Sequence, residues 1–127
     1  MSRPLLILTG CFGAVSVLLG AFGAHALRST LPPQAIGIYE TGVHYLQIHL
    51  LAMTTIAVLI DRFPERARVL EWAGLGFMAG CVLFSGSLVT LAITGWTWLG
   101  AVTPVGGVAW VAAWLALAFA FLRKPRM

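Results

Sequence analysis

Residues 72–122 read WAGLGFMAGCVLFSGSLVTLAITGWTWLGAVTPVGGVAWVAAWLALAFAFL, and between Glu71 and Arg123 there is no formal charge. A membrane-crossing helix needs about 20 mostly apolar residues, so this interval accommodates two. The turn between them is marked by Thr94-Gly95-Trp96-Thr97-Trp98 followed by Thr103-Pro104. Tryptophan favours the headgroup level of a bilayer and proline the first turn of a helix. The stretch therefore predicts one span over about 72–93 and another over about 104–122.

Working outward, two more apolar runs precede it. One is predicted over 5–25; the other, over 41–60, reads TGVHYLQIHLLAMTTIAVLI and lies between Glu40 and Asp61. Hydrophobic residues make up 60% of the 127, and charged residues only 9%. A soluble domain carries about 25% charged residues to cover its surface. This chain has too few, so lipid must be its solvent. The expected fold is all-α: a single membrane domain over 1–127, an integral four-helix bundle.

The net charge of +4 does not indicate nucleic acid as a partner, because the basic residues fall in short segments between apolar runs rather than on one face. With four spans, Arg3, Arg62, Arg66, Arg68, Arg123, Lys124 and Arg126 share one side, and only Arg28 is on the other. Positive residues concentrate on the cytoplasmic side, so both termini are expected there, in a multi-pass protein of the cell (inner) membrane. Ala24-His25-Ala26 looks like a signal cleavage site. The apolar run before it exceeds the usual core of about 7–15 residues, and it is read as an uncleaved span.

Lipid tails provide little hydrophobic drive between helices, so small residues that let backbones approach gain importance. Gly10 with Ala14, Gly20 with Ala24, Gly76 with Gly80 and Ala109 with Ala113 are spaced i, i+4, and Gly106-Gly107 opens the fourth helix. These are the expected packing positions. No internal repeat of the kind found in inverted-repeat transporters relates the two halves.

Ionisable residues inside a span are costly and are candidates for function. His25 ends the first helix at the outer boundary, and Glu40 and His44 lie near that boundary on the second. His49 is roughly 12 Å deeper. Ser85 and Ser87 fall in the outer half of the third helix. At about 100° per residue, Glu40, His44 and Gln47 form one stripe, continued by Leu51, Thr54 and Thr55. His49 points almost opposite, on the side of Tyr45.

Three uses of this cluster compete. Glu40 and His44 with His25 resemble a metal-ligand spacing, but nothing like HExxH is present. His25 and His49 would serve as axial haem ligands only across helices and at unequal depths. Hydrogen bonding between helices is the favoured use, so no metal and no cofactor is expected. Ser85-Gly86-Ser87 lacks the nucleophile-elbow pattern, and no span carries an Asp or Glu to orient a histidine base. Back-bonding of these serines to helix carbonyls is expected instead. Cys11 and Cys81 belong to no CxxC pattern and are read as small apolar residues. The loop from Asp61 to Arg68 sets topology, with anionic headgroups as a further use.

Four motifs occur in order: Gly20-Ala21-Phe22-Gly23-Ala24-His25; Glu40-Thr41-Gly42 with Tyr45 and His49; Leu83-Phe84-Ser85-Gly86-Ser87-Leu88; and Val102-Thr103-Pro104-Val105-Gly106-Gly107. Together they resemble the domain of unknown function 423 family, small four-span membrane proteins related to transmembrane protein 256. The resemblance implies four spans and brings no catalytic residues. His25 and His49 occupy its motif positions and His44 does not, which weakens a metal site built on His44. The expectation is a protein without its own catalytic centre, not an enzyme, acting as an accessory or scaffolding subunit. Its expected partners are membrane lipids and other transmembrane subunits or itself. Two alternatives are kept: a small permease or proton/lipid handler using the outward His/Glu/Ser cluster, and a haem- or metal-binding redox subunit.

Overall fold

The computed structural model describes residues 1–122. It is all-α, with four helices long and apolar enough to cross a membrane: α1 (Ser2–Leu27), α2 (Pro33–Arg62), α3 (Pro64–Thr94) and α4 (Thr97–Leu122). Each extends past the predicted span. Hydropathy reports the length immersed in hydrocarbon, whereas a helix continues into the interface, where charges are tolerated. Glu40 and Glu71 consequently lie within helices rather than ahead of them.

The breaks between helices have local causes. Pro32 is extended and Pro33 occupies the first turn of α2, where a missing N–H costs nothing. Phe63 leaves helical geometry at φ −130°, and Pro64 starts a 3₁₀ turn that leads into α3. Gly95 ends α3 at φ 72°, a left-handed conformation open to glycine without penalty. A 3₁₀ turn over Thr97–Ala101 then opens α4.

The centre of the bundle is the contact of α2 with α3, where Met53, Ile56, Ala57, Leu70, Ala73 and Phe77 are wholly buried. On one flank α1 packs against α2, and on the other α4 packs against α3. Small residues make the second contact close. A Cβ on Gly76 would stand 3.0 Å from Ala113 Cβ and 3.2 Å from the Ala109 carbonyl oxygen, and one on Gly80 would overlap the Trp110 indole.

On α1 the expected positions differ from the observed ones. A Cβ on Gly10 would meet nothing within 4 Å and Ala14 is exposed, so this pair does not mark a close helix approach among the described residues. The buried side of α1 carries Leu5, Thr9, Ser16 and Gly23, and Gly10 lies about 100° round from Thr9. A Cβ on Gly20 would stand 3.8 Å from Gln47 Nε2, an ordinary contact, and Ala24 is exposed; the close approach falls at Gly23, against the Tyr39 ring.

Tyr39 also donates from its hydroxyl to the Leu19 carbonyl oxygen at 2.5 Å, joining α2 to α1. Tyr39→Phe is expected to cost about 1 kcal/mol by loss of this bond, with the ring packing retained. Denaturant titration of the detergent-solubilised protein measures the loss.

The first residue and the last described turn, near Leu122, lie at one end of the bundle. The Met1 amino group is 3.6 Å from Glu71, and Arg66 donates to the Ala120 carbonyl oxygen at 2.7 Å. Arg66 also lies over the Phe121 ring, 4.6 Å from its centroid. Arg3, Arg62 and Arg68 lie at this end too. Arg28 is at the other, 2.8 Å from Glu40. Arg123, Lys124 and Arg126 lie outside the described residues. Exposed Trp72 stands toward the first end and exposed Trp96 and Trp98 at the second, positions that suit the two interfaces of a bilayer.

Candidate functional site

The polar residues marked in the sequence separate into two sites. His49 lies where α2, α3 and α4 meet and is 6% exposed. Its ring stacks on Trp110 with centroids 3.6 Å apart and planes 3° from parallel. Nδ1 is 2.7 Å from the Tyr45 carbonyl oxygen, and the Trp114 indole N–H donates to Nε2 at 3.3 Å. A carbonyl can only accept and an indole N–H can only donate, so the ring is the neutral tautomer with its hydrogen on Nδ1. Both nitrogens are engaged. Ligation through Nε2 would first have to displace Trp114.

An aromatic frame holds this histidine. Tyr45, one turn earlier on α2, is tilted against Phe84 at 5.1 Å, and Phe84 meets Trp110 at 4.7 Å. Phe77 meets Trp114 edge-on at 5.0 Å, and Trp110 Nε1 donates to the Phe77 carbonyl oxygen at 3.1 Å. Edge-to-face and offset ring pairs each contribute beyond simple burial. Between α2 and α4 the frame leaves an open groove of about 490 Å³, bordered by Tyr45, His49, Pro104 and Trp114. Sequence reasoning missed Trp110 and Trp114. The available signal was their i, i+4 spacing, which matches that of Tyr45 and His49 across the bundle.

Two π-helical turns fall on the quoted motifs. Gly23–Leu27 closes α1, and Cys81–Ser85 interrupts α3. A π turn holds more residues than an α turn, so it shifts which side of the helix later residues occupy. Beyond this shift Ser87 bonds the Phe84 carbonyl oxygen at 2.9 Å and Thr103 Oγ1 of α4 at 2.6 Å. Ser85 differs from expectation. It sits in the π turn, buried, and its Oγ has no hydrogen-bond partner among the described residues. Gly42 of α2 packs beside it, close to the Ser85 carbonyl oxygen.

The second site is a groove of about 190 Å³ between α1 and α2, bordered by Gly20, Ala24, Glu40, His44 and Gln47. Glu40 is tied to Arg28, and His44 and Gln47 are exposed, with no hydrogen-bond partner among the described residues. His25 is exposed on the π turn of α1. The structure therefore does not join His25 to His49, the pair considered for haem, because one faces outward and the other is enclosed by rings. No three His, Cys, Asp or Glu side chains converge among the described residues.

Residues 19–107 match the family model described as "Protein of unknown function (DUF423)". The chain is similar to the UPF0382 membrane protein YwdK of Bacillus subtilis, at 39% identity over 95% of this chain and 98% of the relative. It is 38% identical to the UPF0382 inner membrane protein YgdD of Escherichia coli K12, covering 98% and 94%. The UPF0382 membrane protein SH2409 of Staphylococcus haemolyticus is also 38% identical, covering 88% and 89%. No solved structure matches the chain.

Proposed function

The chain belongs to the DUF423 (UPF0382) family of membrane proteins, and from that premise we propose that it is an accessory or scaffolding subunit without a catalytic centre. In this role it associates with other transmembrane proteins in the cell (inner) membrane, with both termini cytoplasmic. The observation that carries this role is His49. The one buried histidine among the described residues has both ring nitrogens bonded and its face stacked on Trp110, so it serves packing. Ser87 is likewise occupied, by Phe84 and Thr103. Outside the bundle the chain offers short loops and large apolar helix faces, which suit contact with lipid and neighbouring spans.

The orientation rests on charge. Arg3, Arg62, Arg66 and Arg68 stand at the end that holds Met1 and Leu122, and Arg28, the one arginine at the other end among the described residues, is paired with Glu40. A small permease or proton/lipid handler is the second reading, favoured by the exposed stripe of Glu40, His44 and Gln47.

Fusing green fluorescent protein to the C-terminus tests role and orientation together, because the fusion fluoresces only when cytoplasmic. Purified in mild detergent from native membranes, the fusion is expected to glow and to bring down another membrane protein in comparable amount. A dark fusion would reverse the orientation, and recovery with no other protein would sink the accessory role. Flux in reconstituted vesicles that Glu40→Gln abolishes would establish the permease instead.

A further inference from the structure

Gln47 faces outward at the middle of the bundle. On α2 it lies between Gly42, which packs against Leu88 and Ser85 of α3, and Met53, whose sulfur is 3.9 Å from that of Cys81. Gln47 is therefore about level with Phe84, half-way along α3 between the exposed Trp72 and Trp96. His44 is on the same stripe, about 4.5 Å nearer the outer boundary. Neither side chain has a hydrogen-bond partner among the described residues, and Gln47 is placed where a bilayer offers no water. An amide left bare in hydrocarbon is costly, so something that bonds it must cover this face.

We propose that the occupant is a second copy of this chain, with the α2 faces bearing His44 and Gln47 meeting about a two-fold axis normal to the membrane. Copies insert with the same polarity because their basic residues are so unequally divided between the two ends. A two-fold axis along the membrane normal then brings like residues together at like depth. Gln47 carries a donor and an acceptor on one amide, and an imidazole such as that of His44 can offer a donor and an acceptor from its two ring nitrogens. Each is thus complementary to itself. A copy supplies the matching groups at both depths without further requirement, whereas an unrelated helix would need suitable polar residues at the same two levels. Glu40, the next residue up the stripe, is held by Arg28 of its own chain, so two copies do not oppose bare carboxylates. The α1 wall of the neighbouring groove is made of Gly20, Gly23 and Ala24, small residues that let a partner helix come close on that side.

The contact is independent of the accessory role: a purification that captures no other protein leaves it intact, and the two tests fail separately. Single cysteines are introduced into a Cys11→Ser, Cys81→Ala background and oxidised in native membranes with copper phenanthroline. Gln47→Cys and Leu51→Cys are expected to form covalent dimers on the order of tenfold more than Val111→Cys and Leu115→Cys on the exposed face of α4, since a disulfide requires Cβ atoms about 4 Å apart. Resonance energy transfer between labelled copies in vesicles provides a second measurement. Gln47→Leu is expected to weaken association about fivefold, the scale of one or two hydrogen bonds between membrane helices, and Gln47→Asn to restore it in part. Because Gln47 is exposed, its replacement leaves the melting of the single chain unchanged. Equal cross-linking at all positions, a preference for the α4 positions, or undiminished transfer in Gln47→Leu would each overturn the proposal.

Discussion

Trp110→Ala is expected to destabilise the bundle by about 3 kcal/mol, at the lower end of the range for emptying a buried tryptophan site. Trp110 is 3% exposed and joins three helices. It stacks on His49 of α2, meets Phe84 of α3 at 4.7 Å, and donates to the Phe77 carbonyl oxygen at 3.1 Å. Its removal leaves a void that the surrounding rings fill only in part and frees His49 from its stack. Apolar transfer contributes less here than in a soluble core, because the unfolded chain remains in lipid, so lost packing carries most of the effect. Unfolding by sodium dodecyl sulfate in mixed micelles measures it. Trp110→Phe is expected to recover about half, by restoring ring contact without the indole N–H. A loss below about 1 kcal/mol for alanine would show that the cluster does not hold α4 in place.

Gly106→Val is expected to cost about 3 kcal/mol or more, the upper part of the range for overpacking. A Cβ at this position would overlap the Phe84 backbone nitrogen and stand 2.8 Å from Phe84 Cα. A backbone atom cannot rotate aside as a side chain can, so α4 would have to lift from α3. That movement would also disturb the Ser87–Thr103 bond and the seat of Trp110 on Gly80. The adjacent Gly107 provides the control. A Cβ there would come only within 3.7 Å of the Phe84 ring, an ordinary contact. Gly107→Ala should therefore leave the stability unchanged or raise it by up to about 1 kcal/mol, since the half-buried position has room for a methyl group and alanine favours helix. Thermal unfolding monitored by size-exclusion chromatography separates the two variants. Equal effects at both positions would contradict the α3–α4 contact described above.

The same glycines show how far the sequence could be read. Gly106 and Gly107 are indistinguishable by composition and spacing, yet one opposes a backbone and the other a ring edge. Gly10 with Ala14 and Gly76 with Gly80 carry the same i, i+4 pattern. Of these glycines, Gly76 and Gly80 are the ones where a Cβ would meet another helix among the described residues. The candidate polar residues behaved similarly. Helical spacing placed Glu40, His44 and Gln47 on one side of α2 and His49 with Tyr45 on another, and this division is observed. The spacing of Trp110 and Trp114 hints that they share a face, but it does not say that Trp114 bonds Nε2 of His49, and nothing in spacing marks the π turn that encloses Ser85.

Helix number, helix type and immersion in lipid were determined by the sequence itself. Long uncharged runs cannot be solvated by water, and hydrocarbon obliges the backbone to bond within each segment. These constraints are local and act on each run separately. The rotation of each helix about its axis was decided only in the tertiary structure. It depends on how all four surfaces fit at once, and in lipid no strong difference between apolar faces selects one side in advance. Which glycine touches, which ring covers His49 and which polar stripe is left facing outward all follow from that rotation.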